Sequence, residues 1–141
     1  MHREIQGGYV LDDDRERLDI DRVCDYLQNE SYWARGRPRA MIETSIAGSA
    51  RVIGLYDDSG QVGFARVITD GATQAYLADV YVLAAHRGRG LGKEIVAEAV
   101  DHGPHAHLKW LLHTADAHGL YRQHGFLDPS DHLLERPKRR G

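Results

Sequence analysis

The chain has 141 residues, of which 42% are hydrophobic and 28% charged, and a formal net charge of -3. That length suffices for one domain, residues 1–141, with its own core. The composition excludes a disordered or fibrous chain. The mildly acidic balance argues against a nucleic-acid binder, whose domain carries a basic surplus. A single cysteine, Cys24, leaves no internal disulfide and no thiol-rich metal site, which fits a reducing compartment. The opening segment MHREIQGGYVLDDD has no apolar leader, and no apolar run is long enough to cross a bilayer. A cytoplasmic protein without a membrane partner is expected.

In chain order, GYVLDDD reads as a short strand entering an acidic turn. DIDRVCDYLQNE then sets Ile20, Val23, Cys24 and Leu27 at helical spacing behind Asp19 as N-cap. After the break at Gly36 and Pro38, Met41, Ile42 and Ile46 resume the helical period until Gly48 ends it. ARVIGLYD, QVGFARVITD and QAYLADVYVL are strand-like and are joined by DSG and DGAT, connectors with tight-turn chemistry, so an antiparallel meander is expected. GLGKEIVAEAVDHG repeats apolar residues from Leu91 to Val100 and is stopped by Gly103 and Pro104. LKWLLHT reads as a strand, DAHGLYRQHG as a short helix, FLDPSDHLLE as a terminal strand or hairpin, and RPKRRG as a solvated tail rather than a nucleic-acid arm. The sum is an α/β chain, a mostly antiparallel mixed sheet with helices on both faces.

Between the meander and the longest helix lies AAHRGRGLG. A helix start exposes free N–H groups and the positive end of the helix dipole, so it favours anions. Gly88, Gly90 and Gly92 clear side chains from the backbone, and Arg87, Arg89 and Lys93 add charge suited to a diphosphate. A plain flexible turn with solvated arginines is the alternative. A P-loop is excluded, because Glu94 follows Lys93 where a magnesium-binding hydroxyl is needed, and GRGLGK does not match the dinucleotide fingerprint.

RGRGLG, Arg87 to Gly92, resembles the Arg/Gln-x-x-Gly-x-Gly/Ala signature with which the GNAT superfamily of N-acetyltransferases holds the pyrophosphate of acetyl-coenzyme A. GLYRQHGF, Gly119 to Phe126, is similar to the LYxxxGF element of that family and follows in the same order. The resemblance implies acetyl transfer from acetyl-coenzyme A to a primary amine by direct attack, with no metal. It gives backbone groups of Tyr81, Val82 and Leu83 to the pantetheine arm and thioester, and the loop residues Arg87 to Lys93, Leu91 included, to the diphosphate. Tyr121 matches the residue that protonates the departing thiolate, with a packed core aromatic as the alternative. Asp116 stands where many members have an Asn that contacts the cofactor; Asp accepts but cannot donate. The family often has a base glutamate where this chain has Ala78. Asp79 is the carboxylate beside it, read either as a base, direct or through water, or as a structural hydrogen-bonding group.

His113 and His118 are further imidazoles near these motifs, and HGPHAH is read as a polar loop rather than a metal site. The acceptor entrance is expected in ESYWARGRP, where Tyr32 and Trp33 offer an aromatic wall and Arg35 or Arg37 a partner for a substrate carboxylate. Thr69 and Asp70 are secondary candidates, with turn chemistry as the alternative for Asp70. Cys24 lies far from these motifs, which disfavours a covalent acyl-cysteine. A homodimer is expected from the terminal strand. The competing function is a non-catalytic domain that binds or senses acyl-coenzyme A, a reading that Ala78 supports.

Overall fold

In the computed structural model, which describes residues 1–139, the chain opens with an antiparallel hairpin of β1 (His2–Ile5) and β2 (Tyr9–Asp12). The sequence reading contains β2 but not β1, because HREI offers one apolar residue and gains its order from pairing rather than from burial. Helix α1 (Ile20–Asn29) starts at the expected cap, where the Asp19 carboxylate accepts the Arg22 N–H at 3.1 Å. Helix α2 (Arg39–Ala47) begins directly after Pro38 and ends at Gly48.

The meander forms as predicted from β3 (Arg51–Asp57), β4 (Gly60–Thr69) and β5 (Gln74–Val82). Asp70 accepts the N–H groups of Ala72 and Thr73, both at 2.8 Å, and Thr69 accepts that of Gly71 at 2.9 Å. Both residues therefore serve the β4–β5 turn. Helix α3 (Leu91–Val96) continues as a π-helical segment, Ala97–Asp101. A three-residue strand β6 (Lys109–Leu111) and a short helix α4 (His118–Arg122) complete the described elements. The sheet runs β1-β2-β3-β4-β5-β6, antiparallel throughout except for the parallel pair β5 and β6.

Alternation along the strands sends side chains to two cores. Val52, Phe64 and Tyr81 pack with Val23, Leu27, Ile42 and Ile46 of α1 and α2. Ile53, Leu55, Ala65, Val67 and Leu77 pack with Leu91, Ile95 and Val96 of α3 on the other face. Cys24 belongs to the first core, where burial pushes its thiol up.

The expected terminal strand is absent: residues 126–135 form no strand. Pro129 has no N–H to donate to a ladder. Leu127 and Leu134 are 84% and 91% exposed, so the apolar residues that suggested a strand are not buried by one. The homodimer expectation thus loses the feature it rested on. Of the basic tail, Arg140 and Gly141 lie outside the described residues.

Candidate active site

β6 pairs with only the beginning of β5, through Gln74↔Lys109, Ala75↔Trp110 and Tyr76↔Leu111. Among the described residues no strand covers that edge of β5 from Leu77 to Val82. On the other edge, Tyr81 pairs with Phe64, and the Leu83 N–H donates to Val62 O at 2.9 Å. Backbone groups of successive residues in an antiparallel strand face alternate sides. The N–H and C=O of Val82 therefore point into the gap between β5 and β6. Arg87 Nε donates to that carbonyl at 2.9 Å and leaves the Val82 N–H as the outward donor. Of the three residues whose backbone groups the resemblance gives to the cofactor, Tyr81 and Leu83 face β4 instead, Tyr81 paired with Phe64 and the Leu83 N–H taken by Val62, and Val82 alone faces the gap.

Beyond Val82 the chain makes one 3-10 turn, Ala84–His86, and enters the glycine loop. Gly88 and Gly90 adopt φ of 80° and 75°, left-handed values that a side chain with a Cβ tolerates poorly. Gly90 is the N-cap of α3, so the unpaired N–H groups of the first turn open onto the loop. The three cations part ways. Lys93 lines the cavity beside the loop. Arg87 also lines it, and its guanidinium donates to Tyr26 Oη at 2.9 Å. Arg89 instead donates to Tyr9 Oη at 2.8 Å, and the same hydroxyl sits 2.8 Å from His86 Nδ1. The structure thus separates Arg89 from the cavity wall, because Tyr9 supplies its partner.

The cavity, about 650 Å³, lies between the open edge of β5, the glycine loop and α4. Tyr121 reaches it from α4. Burial pushes the Tyr121 phenol up to about 12, which keeps it protonated and able to donate. Asp116 lines the same wall. Tyr32 and Trp33 close the far side in an edge-to-face pair with centroids 5.1 Å apart. Tyr32 Oη accepts the Ala115 N–H at 2.8 Å, tying the α1–α2 connection to the segment before α4.

A smaller hollow of about 230 Å³ shares Tyr32, Trp33, Val80, Asp116 and Tyr121 with this cavity and adds Arg37, Arg66, Tyr76, Asp79 and His113. Asp79 has φ 54° in a bulge where β5 slips against β4, between the pairs Phe64↔Tyr81 and Arg66↔Ala78. Its Oδ1 accepts Trp33 Nε1–H at 2.7 Å, and its Oδ2 accepts Arg66 Nε–H at 2.7 Å and an Arg37 N–H at 3.0 Å. Burial pushes this carboxyl up, but the Arg66 guanidinium, with Arg37 and the Trp33 N–H, outweighs burial and holds it below the usual carboxylate range. Such a carboxylate is a weak proton acceptor, and the reading of Asp79 as a hydrogen-bonding anchor describes its surroundings. His113 lies between Tyr76, which hydrogen-bonds its Nδ1, and Glu135, 2.7 Å from its Nε2.

Arg35 lies in neither hollow but in an adjoining groove, and His118 faces a different depression beside Phe126. Sequence reasoning missed Tyr26, Arg66 and Tyr76. Tyr26 stacks on Tyr81 with centroids 3.9 Å apart and looks, by spacing, like any core residue of α1. Arg66 carried a usable signal: a lone cation in one apolar strand, one hairpin away from the lone anion Asp79. Among the described residues there is no group of three or more His, Cys, Asp or Glu side chains that could hold a metal ion. Among them, too, no helix is long and apolar enough to cross a membrane.

An open strand edge thus leads into a glycine loop at a helix start, and comparison with known proteins identifies the class of protein that has this arrangement. Residues 48–127 match the model of the acetyltransferase (GNAT) domain. A protein of Gibberella zeae named "Putative acetyltransferase FG08082" is 30% identical, over 87% of this chain and 81% of its own. A crystal structure from Xanthomonas campestris pv. campestris, described as a putative acetyltransferase of the GNAT family, superimposes with a TM-score of 0.86 at 39% identity, covering 92% of this chain and 93% of that one. A Staphylococcus aureus structure, 20% identical, shares the fold with a TM-score of 0.75 over 94% and 99%. The chain belongs to the GNAT acetyltransferase family.

Proposed function

We propose that the protein transfers an acetyl group from acetyl-coenzyme A to a primary amine by direct attack within a ternary complex. The observation that carries this reading is the uncovered edge of β5 from Leu77 to Val82, continuous with the glycine loop. An amide-bearing pantetheine can lie along such an edge as an added strand while a diphosphate meets the N–H groups of the α3 start, Lys93 and Arg87. Acetyl-coenzyme A supplies the activated thioester.

The chain's own groups divide the remaining work. The outward Val82 N–H is aimed to stabilise negative charge on the thioester oxygen. Tyr121, kept protonated by burial, donates its proton to the departing sulfur. Asp79 serves as a positioning residue, holding Trp33, Arg37 and Arg66 around the smaller hollow where the amine enters. His113, on the wall of that hollow, takes the amine's proton by way of the Tyr76 hydroxyl bonded to its Nδ1, while its Nε2–H is held by the Glu135 carboxylate at 2.7 Å, which stabilises the charge formed. Cys24, buried in the core under α1 and α2 and lining neither the cavity nor the smaller hollow, offers no covalent route.

Tyr121→Phe tests the assignment. Coenzyme A affinity should hold, while acceptor-dependent thiol release should fall by about 10²–10⁴-fold. A rate equal to that of the native protein removes Tyr121 from the chemistry. Coenzyme A binding without thiol release across a broad amine panel supports the acyl-coenzyme A sensor instead.

A further inference from the structure

The Asp79 cluster is unbalanced in charge. Two guanidinium groups share a single carboxylate oxygen, Oδ2, while the other oxygen is taken by Trp33. The side chains are little exposed, 3% for Asp79, 12% for Arg66 and 20% for Arg37. A positive surplus in a sheltered place is costly unless another anion completes it. Arg37 and Arg66 both reach an adjoining groove of about 530 Å³, where Arg35 and Lys138 add two more cations. No carboxylate is among the residues lining that groove, which also carries Trp33 and Ser45. The three spaces form a row. The large cavity meets the smaller hollow at Tyr121, Asp116 and Trp33, and the hollow meets the groove at Trp33, Arg37 and Arg66.

We propose that this groove is an anion subsite of the acceptor: the amine that reaches the thioester carries, on the same molecule, a carboxylate or phosphate that pairs with Arg37, Arg66 and Arg35. This inference rests on the acetyl-transfer reading above and deepens it by naming the acceptor's chemical class. Arginine is suited to the task, because the planar fork grips an oxyanion through two parallel N–H donors, and each fork here has donors not committed to Asp79. Simple alkylamines lack the group that these cations await.

The test compares matched acceptors with the native full chain: aminohexanoate against hexylamine, and O-phosphoethanolamine against ethanolamine. The anionic member of at least one pair should show kcat/KM higher by about tenfold or more, as expected for a charged hydrogen bond. The responding pair tells carboxylate from phosphate. That advantage should shrink severalfold in Arg35→Gln, which leaves the Asp79 cluster intact, and further in Arg37→Gln, with partial return in Arg37→Lys. Equal or better use of both uncharged partners, or an advantage unmoved by Arg35→Gln and Arg37→Gln, overturns the proposal. Should no amine be turned over, coenzyme A-loaded protein is titrated with aminohexanoate and with inorganic phosphate while the Trp33 indole N–H resonance is followed. A saturable shift that weakens in both variants supports the subsite, and no shift with either probe overturns it. Coenzyme A binding, measured separately, decides whether the acetyl-transfer reading itself has failed.

Discussion

Asp79 shows how far single-residue reasoning reaches. A lone carboxylate in the apolar run YLADVYVL signals a special environment, and the environment is special: a bulge, φ 54°, and three donors converging on one carboxylate. What the sequence does not display is the bulge itself, since strict alternation along β5 takes no account of an extra residue opposite Ala65. Arg37 was legible as a loop cation suited to a substrate carboxylate, but not as a partner of Asp79, and Arg66 only as an interruption of β4. Removing the charge leaves two sheltered guanidinium groups facing a neutral amide. Asp79→Asn should therefore lower stability by about 3 kcal/mol in denaturant unfolding, the cost of stranding partners of a buried ion pair. A pH series checks the same claim. Because the folded-state carboxyl titrates below its usual value, its stabilisation is complete above the unfolded range near ~3.9 and is lost as pH falls through the folded value. Native protein should lose its advantage over Asp79→Asn only in that acidic window, and an advantage unchanged there would contradict the ion-pair assignment.

At the scale of elements, the meander, α1, α2 and the glycine loop were readable because each declares itself locally, through alternation, the Asp19 cap, Pro38 and Gly48, or glycines before a helical period. Elements that depend on partners were not. β1 is a polar segment ordered by its ladder to β2, and residues 126–135 look strand-like in composition yet have no ladder to join. The splay of β5 from β6 likewise belongs to the pair and to neither strand alone. Its geometry relies on a close meeting of β4, β5 and α3 at Gly63. A Cβ there would stand 3.0 Å from Leu55 Cβ, 3.0 Å from the Tyr81 carbonyl oxygen and 3.1 Å from Ile95 Cδ1. Since one of those neighbours is backbone of the strand that frames the cavity, relief must come from moving β5 or α3. Gly63→Ala should cost about 1–3 kcal/mol in thermal or denaturant unfolding and weaken coenzyme A binding in proportion to the shift of β5. A neutral effect on both would show that α3 and β5 are less tightly apposed than the distances indicate.

For the whole molecule, the sheet divides two cores, and the large cavity opens where β5 leaves β6. The proposed donor side of that space is written in sequence by Arg87 to Gly92. The proposed acceptor side is assembled from four separate elements, Trp33 and Arg37 before α2, Arg66 on β4, Asp79 on β5 and His113 after β6, and only folding brings them together. Distant connections of a different kind hold the far flank: Arg51 on β3 pairs with Glu98 of the π-helical segment at 2.7 Å and with Asp13 at 3.1 Å, while Arg3 of β1 approaches Glu98 at 3.2 Å. These ion pairs fasten the N-terminal hairpin and the α3 continuation to the sheet and leave the side beyond Val82 to ligand.

The backbone amide spectrum of the native protein, recorded while coenzyme A is added, tests the central claim most directly. The account predicts saturating shifts at the N–H groups of Val82, Gly88, Gly90, Gly92 and Lys93, with the Leu83 N–H, bonded to Val62, moving far less. Saturating shifts that spare Val82 and the glycine loop, or no response at all, would contradict it.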